Sequence, residues 1–318
     1  MGKRTAVNWR SWTLRLTGSA AFLGLLFWLV PVGDLWAGLR NIPPLRILWV
    51  LLGFVLGHMI AAGKWWLLMD RPFGFSHAMR AHFAGLAANL CLPTVAGGDA
   101  VRAALAYRKR PDAGRIAAAA TTDRLIDLGA LAALAVLGAL AAGSATGTAM
   151  TALFVITSLG AAMLWFLPRL ITWLWARYPK LPAASLAQKL SLSLSNLARR
   201  PGLLLLIWLT SMMVQIAFIA LAYSLALAVG VEVSFAAWGF AWALAKIIAI
   251  LPLSINGLGL REASLAALLA PFEAVSALVV AAGLAWQFVL FLTGGLGALV
   301  LFVTPEAPAS VPESSEMT

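Results

Sequence analysis

Charge is scarce in this chain. Lys, Arg, Asp and Glu make up 11% of its 318 residues, whereas 62% are hydrophobic and the mean hydropathy is +0.91. A soluble domain of this length cannot bury so much apolar surface, so the composition excludes one and implies a polytopic membrane protein. Cysteine is scarcer still: Cys91 stands alone, no intrachain disulfide can form, and the residue reads as a small buried hydrophobe. The three histidines, His58, His77 and His82, have no metal-ligand spacing among themselves or with carboxylates. There is no P-loop, no His-Glu-x-x-His and no nucleophile elbow. The longest polar connection, 169–202, is too short for a catalytic domain. No catalytic residue, cofactor or metal is therefore expected.

The charge that is present is lopsided, with 23 Lys and Arg against 12 Asp and Glu. These cations sit between apolar runs, where they orient spans and meet anionic headgroups, which favours membrane lipids as partners over nucleic acid. A bilayer core of about 30 Å takes roughly 20 helical residues. Six apolar runs meet that length, at about 13–32, 44–63, 116–142, 148–168, 203–229 and 276–302. Lys3, Arg4, Arg10 and Arg15 precede the apolar stretch of the first run, from about Leu16 to Val32, which reads as a retained signal anchor with a cytoplasmic N-terminus. Two more segments, 79–101 and 235–270, are apolar but interrupted by proline and glycine.

With the interrupted segments re-entrant, the connections 64–80, 102–115 and 169–202 are cytoplasmic and rich in Lys and Arg, while 33–43, 143–147 and 230–234 are nearly free of them. Both termini are then cytoplasmic. The expected fold is all-α, with about six transmembrane helices plus two broken or re-entrant segments, or eight spans if these cross. One membrane domain covers 1–303, with pseudo-repeats at about 10–142 and 148–303, inverted relative to each other. Residues 304–318 form an acidic tail too poor in apolar residues to fold.

The repeat rests on a motif that occurs twice. Leu92-Pro93 is followed by Gly97-Gly98-Asp99 and Arg102, and Leu251-Pro252 by Asn256-Gly257-Leu258-Gly259-Leu260-Arg261-Glu262. In each copy a glycine stands five residues after the proline and an arginine nine after it. Helix breakers and charges at membrane depth are tolerated only where backbone is buried or lines a wet cavity. Each copy reads either as the lining of a substrate path, with glycine N–H groups and an arginine facing an anion, or as a turn braced by a salt bridge.

A third group, Asp123-Arg124-Leu-Ile-Asp127, opens the run near 116. It reads either as a structural ion pair at the cytoplasmic interface or as an arginine lining a polar cavity. Charges at such depth cost about 2.5–3.5 kcal/mol each on insertion scales. Lys246, inside an apolar run, could snorkel or pair with Glu262 or Asp99; Asn89 could bond across helices. Many of the 14 tryptophans, Trp65 and Trp66 among them, fall near predicted span ends, as interfacial belts do.

Through these motifs the chain resembles the lysylphosphatidylglycerol synthase transmembrane-region family, also called flippase-like, over about 10–303. The family includes the membrane domain of the bacterial multiple peptide resistance factor, associated with moving aminoacylated phosphatidylglycerol between leaflets. Other members are linked to hopanoid or glycolipid pathways. The resemblance implies an inner-membrane lipid translocase, or alternatively a lipid-modifying membrane enzyme or an accessory subunit that meets a separate synthase. It carries Asp99, Arg102, Asp123, Arg124, Arg261 and Glu262 over as motif positions. No aminoacyltransferase domain follows residue 303, so lysyl transfer is not expected of this chain.

Overall fold

The computed structural model describes residues 32–91, 95–143, 166–250 and 257–303, with the single positions 151, 155 and 162. The predicted first span, most of 148–168, the tail, and the side chains of Cys91, Leu92, Pro93, Leu251, Pro252 and Asn256 lie outside the described residues.

All regular structure among the described residues is helical. Ten α-helices are named in chain order: α1 (Val32–Arg40), α2 (Pro44–Leu68), α3 (Phe75–Cys91), α4 (Val95–Lys109), α5 (Ala113–Ala141), α6 (Ala184–Ala198), α7 (Pro201–Val229), α8 (Phe235–Ile248), α9 (Leu260–Leu269) and α10 (Ser276–Val303). Local chemistry sets their ends. Pro44 and Pro201 open α2 and α7, where a missing N–H costs nothing. The Asp112 and Ser234 side chains cap α5 and α8 by accepting from Arg115 N and Ala237 N at 3.0 and 3.1 Å. Gly230 ends α7 at φ +94°.

Four described helices, α2, α5, α7 and α10, are long and apolar enough to cross a membrane. Their outward faces carry helically spaced large hydrophobics: Leu45, Leu48, Leu52 and Leu56 on α2, and Leu205, Leu209, Met213 and Ile216 on α7. In water this belt would be a liability; against lipid tails it is the solvated surface. The interrupted segments are each two shorter helices, α3 with α4 and α8 with α9; the first pair runs past the predicted 79–101 at both ends, and the second stays within the predicted 235–270. Two corrections follow. Lys64 lies inside α2, which its apolar sequence carries on to Leu68, and Arg102 lies inside α4; neither is in a cytoplasmic loop.

The two halves repeat the same order of long, short, short and long helix, as α2–α5 and α7–α10. Their packing follows suit. Exchanging the halves maps α5 on α8 onto α10 on α3, α3 on α4 onto α8 on α9, and α2 on α10 onto α7 on α5. Pro93 and Pro252, Arg102 and Arg261, and the two Leu-Gly-Ala-Leu segments at 137–140 and 296–299 are all separated by one constant offset, 159 residues.

The glycines of those segments explain why they recur. A Cβ on Gly138 of α5 would meet the Phe240 backbone nitrogen of α8 at 2.6 Å, and one on Gly297 of α10 would meet the Phe83 carbonyl of α3. Each long helix therefore touches the opposite half's short helix backbone to backbone, as close-packed membrane helices do. Gly297→Val should cost about 1–3 kcal/mol or more of stability by overpacking. Gly295→Val, whose side chain would enter open space, should leave thermal unfolding of the detergent-solubilised protein unchanged.

Candidate functional site

The break between α3 and α4 brings the start of α4 beside α3. Gly98 is the fourth residue of α4, inside a helix and not in a loop. Its N–H donates to Asn89 Oδ1 at 2.8 Å, and its Cα lies against the Gly85 carbonyl. Asn89 thus bonds across helices, and Gly98 serves close approach. Gly97, one residue earlier, is also helical and half-buried.

One turn further, Asp99 and Arg102 reach the middle of the bundle, where α5 presents Asp123, Arg124 and Asp127. The local pairing of Arg124 with its own helix's carboxylates does not form. Arg124 Nε instead donates to Asp99 Oδ2 at 2.7 Å, with Nη2 at 2.5 Å from the same oxygen. Arg102 Nη2 lies 3.2 Å from Asp99 Oδ1 and 3.5 Å from Asp123 Oδ2. Its guanidinium carbon stands 4.5 Å over the Trp65 ring, which is fully buried and not in an interfacial belt.

The carboxylates of Asp123 and Asp127 are taken by Lys64 of α2, 3.0 Å from Asp123 Oδ1 and in direct contact with Asp127. Ser211 of α7 accepts from Lys64 at 2.7 Å and donates to Asp127 Oδ1 at 2.8 Å. Three cations and three carboxylates from α2, α4 and α5 thus form one neutral network. Lys64, Arg102 and Asp123 are buried, while Arg124 is open, with 47% of its side chain accessible. Among the described residues Arg124 Nη1 has no partner.

The second motif solves the same problem locally. Gly257 and Gly259 adopt φ +74° and +80°, a backbone that favours glycine, and lead into α9. Glu262 Oε2 accepts from the Gly259 N–H at 2.9 Å, one half of a capping box. Its other oxygen takes Arg261 Nε at 3.0 Å and Nη2 at 2.5 Å. Arg261 also donates to the Gly283 carbonyl and to Gln287 Oε1 of α10, both at 3.2 Å. Lys246 pairs with neither Glu262 nor Asp99. Its Nζ donates to Gln215 Oε1 of α7 at 2.8 Å and lies 5.4 Å over the Phe218 ring, within electrostatic reach of Asp127, Arg124 and Arg261.

Several members of the site were not foreseen: Lys64, Ser211, Gln215, Gln287 and the pair His58–His82, whose Nδ1 and Nε2 are 3.0 Å apart. The apolar run through Trp65-Trp66-Leu67-Leu68 was the available signal for Lys64, since the same logic singled out Lys246. Gln215 and Gln287, single amides in long apolar runs, were legible in the same way. Among the described residues, His, Cys, Asp and Glu form no cluster able to hold a metal ion.

A helical membrane protein with paired charges at the centre of its bundle is the class this geometry defines. The chain belongs to the lysylphosphatidylglycerol synthase TM region family, whose model matches residues 12–297. No curated protein matches the chain.

Removing one partner of a buried ion pair typically costs about 3–5 kcal/mol. Lys64→Met, which leaves Asp127 without a cation and Asp123 with Arg102 alone, should lower thermal stability by that order. Adding Asp123→Asn to it should recover part of the loss; a double variant less stable than Lys64→Met would refute the network's pairing.

Proposed function

We propose that the chain is an inner-membrane lipid translocase, with Arg102, Arg124 and Arg261 recognising an anionic or modified headgroup, whether glycosylated, aminoacylated or isoprenoid-linked. Asp99, Asp123 and Glu262 hold these arginines in place and offset the cost of burying them. The halves are inverted repeats whose alternate opening carries the headgroup past mid-depth, and both termini face the cytoplasm. One observation carries this reading: the Arg124 guanidinium is half open, and among the described residues its Nη1 keeps a free donor. A purely structural ion pair gains nothing from such exposure.

The competing view, a membrane enzyme or an accessory subunit of a lipid-modifying pathway, has weaker support. Each carboxylate of the network already faces a cation, a poor setting for general acid or base work near neutral pH.

The test is headgroup movement in proteoliposomes. Arg124→Ala should abolish translocation of the transported lipid while shifting thermal unfolding little, because a half-exposed pair contributes only about 0–1 kcal/mol. Arg124→Lys should keep part of the activity. Undiminished translocation by Arg124→Ala would sink the assignment of this side chain to the headgroup.

A further inference from the structure

Two histidines at the edge of the ionic network take no part in pairing its charges. His82 of α3 is buried, and its Nδ1 lies 3.4 Å from Arg102 Nη1. A guanidinium only donates, so that nitrogen carries no proton and accepts. The His82 proton is then on Nε2, which donates to Nδ1 of His58 on α2 at 3.0 Å. His58 in turn keeps its proton on Nε2. Arg102, His82 and His58 thus form one directed chain of donors in which both rings are neutral.

That chain has no place for one more proton. On His82 Nδ1 it would face the Arg102 guanidinium, donor against donor. On His58 Nδ1 it would face the His82 N–H, and passing the His82 proton on to its own Nδ1 brings the same clash with Arg102. The surrounding charges act in the same sense. Arg102, Arg124, Lys64 and Lys246 lie within electrostatic reach of the pair, and Asp99, Asp123 and Asp127 are each already paired with one of the first three. Helices α7 and α10 bring no charged residue. On α3 itself, Arg80 lies on the opposite face by helical spacing, and His77 Nε2 donates to the Leu105 carbonyl at 3.1 Å.

Resting on the lipid-handling reading above, we infer that the His58–His82 pair is a proton-binding site, filled when Arg102 leaves His82 for an anionic headgroup, so that one proton travels with each headgroup. Arg102 meets Asp99 and Asp123 through Nη2 alone, which leaves Nη1 to choose between His82 and a ligand. Turning Nη1 to the ligand frees the His82 Nδ1 lone pair, which forms an N–H bond to a proton from the water that the opened site admits. No other covalent bond changes. The proton offsets the charge of the headgroup, so the loaded site adds no net charge at membrane depth, where an unpaired ion is costly. His58 also packs on Phe218 of α7, ring centroids 5.2 Å apart, which puts the pair where the two halves meet.

The chain has three histidines, so ring protonation can be read directly by 15N-histidine NMR of the full chain in nanodiscs. At pH 7.5 wild type should show both rings of the pair protonated on Nε2 and bare on Nδ1. A protonated His82 Nδ1 there would overturn the inference without recourse to any variant. At pH 6, Arg102→Gln should raise the doubly protonated fraction of the pair by about tenfold or more. Arg124→Gln removes a cation of the same network that does not touch the rings, and should raise it far less. An equal rise in both variants, or none in Arg102→Gln, would overturn the exchange of Arg102 for a proton.

Coupling is read in proteoliposomes of a bacterial polar-lipid extract, with outer-leaflet lipid followed by an impermeant phospholipase. One proton per headgroup makes a one-unit pH gradient worth up to about tenfold in the leaflet ratio of the moved lipid, toward the alkaline side. His82→Asn, whose Oδ1 can accept from Arg102 but which takes up no proton, should spread the lipid evenly. An even spread by wild type under the gradient would overturn the coupling while leaving lipid handling intact. Movement of no lipid by wild type, with or without the gradient, would remove the lipid-handling reading and the coupling together.

Discussion

Everything at the centre of this bundle depends on the Asp123 carboxylate. It is buried on α5 and faces Lys64 of α2 through one oxygen and Arg102 of α4 through the other. Two unit charges 4 Å apart interact by about 4 kcal/mol at an effective dielectric constant of 20, against about 1 kcal/mol in water. Three helices are therefore registered by a contact whose loss strands charge in an apolar interior. Asp127, at the middle of the 29-residue α5, extends the same constraint to α7 through Ser211.

The repeat makes the site's asymmetry informative. Under the 159-residue offset, Asp123, Arg124 and Asp127 of the first half correspond to Ala282, Gly283 and Trp286 of the second. Arg102 reaches a carboxylate on the long helix α5 as well as Asp99 on its own helix. Arg261 finds one on the next residue, so α10 contributes only the Gly283 carbonyl and the Gln287 amide. With no charged residue on its long helix α10, the second half places Trp242 and Trp286 edge to face at 5.2 Å, with Phe54 of α2 and Phe218 beside them. The long helix of the first half thus brings charge to the core, and that of the second brings an aromatic side chain and an amide. That division suits an amphipathic ligand better than two identical sites would.

How much of this was legible in the sequence varies from residue to residue. The Leu-Pro and glycine motif announced helices broken within apolar segments, because proline and glycine act on their own backbone. Asp99, Arg102, Asp123 and Arg261 were visible because a charge in an apolar run is conspicuous. Their partners were less so. Arg124 was read with the carboxylates of its own helix, Asp123 beside it and Asp127 three residues on, yet it bonds Asp99 of α4, twenty-five positions back in the chain. Local spacing reports which residues share a helix face and says nothing about which neighbouring helix that face meets. Lys64 was hidden because it stands near the end of its helix, where a cation ordinarily marks the interface. The six predicted spans are only partly represented, since two of them fall mainly outside the described residues.

The glycines recur in both halves for different reasons, and the difference bears on how an anion is recognised. Half-helices whose N-termini point toward mid-depth would ordinarily offer backbone N–H groups to a negative ligand. Here the Gly98 N–H is taken by Asn89 and the Gly259 N–H by Glu262. Gly98 has its helix neighbour too close to admit a side chain, and Gly257 and Gly259 are needed for their positive φ. With these two backbone donors occupied, the capacity to bind an anion lies with side chains. Backbone N–H groups would bind any phosphate that fits. Among the described residues, Arg124 with Nη1 unpartnered and Lys246 with no carboxylate within ion-pair distance are the side chains that keep donors to spare.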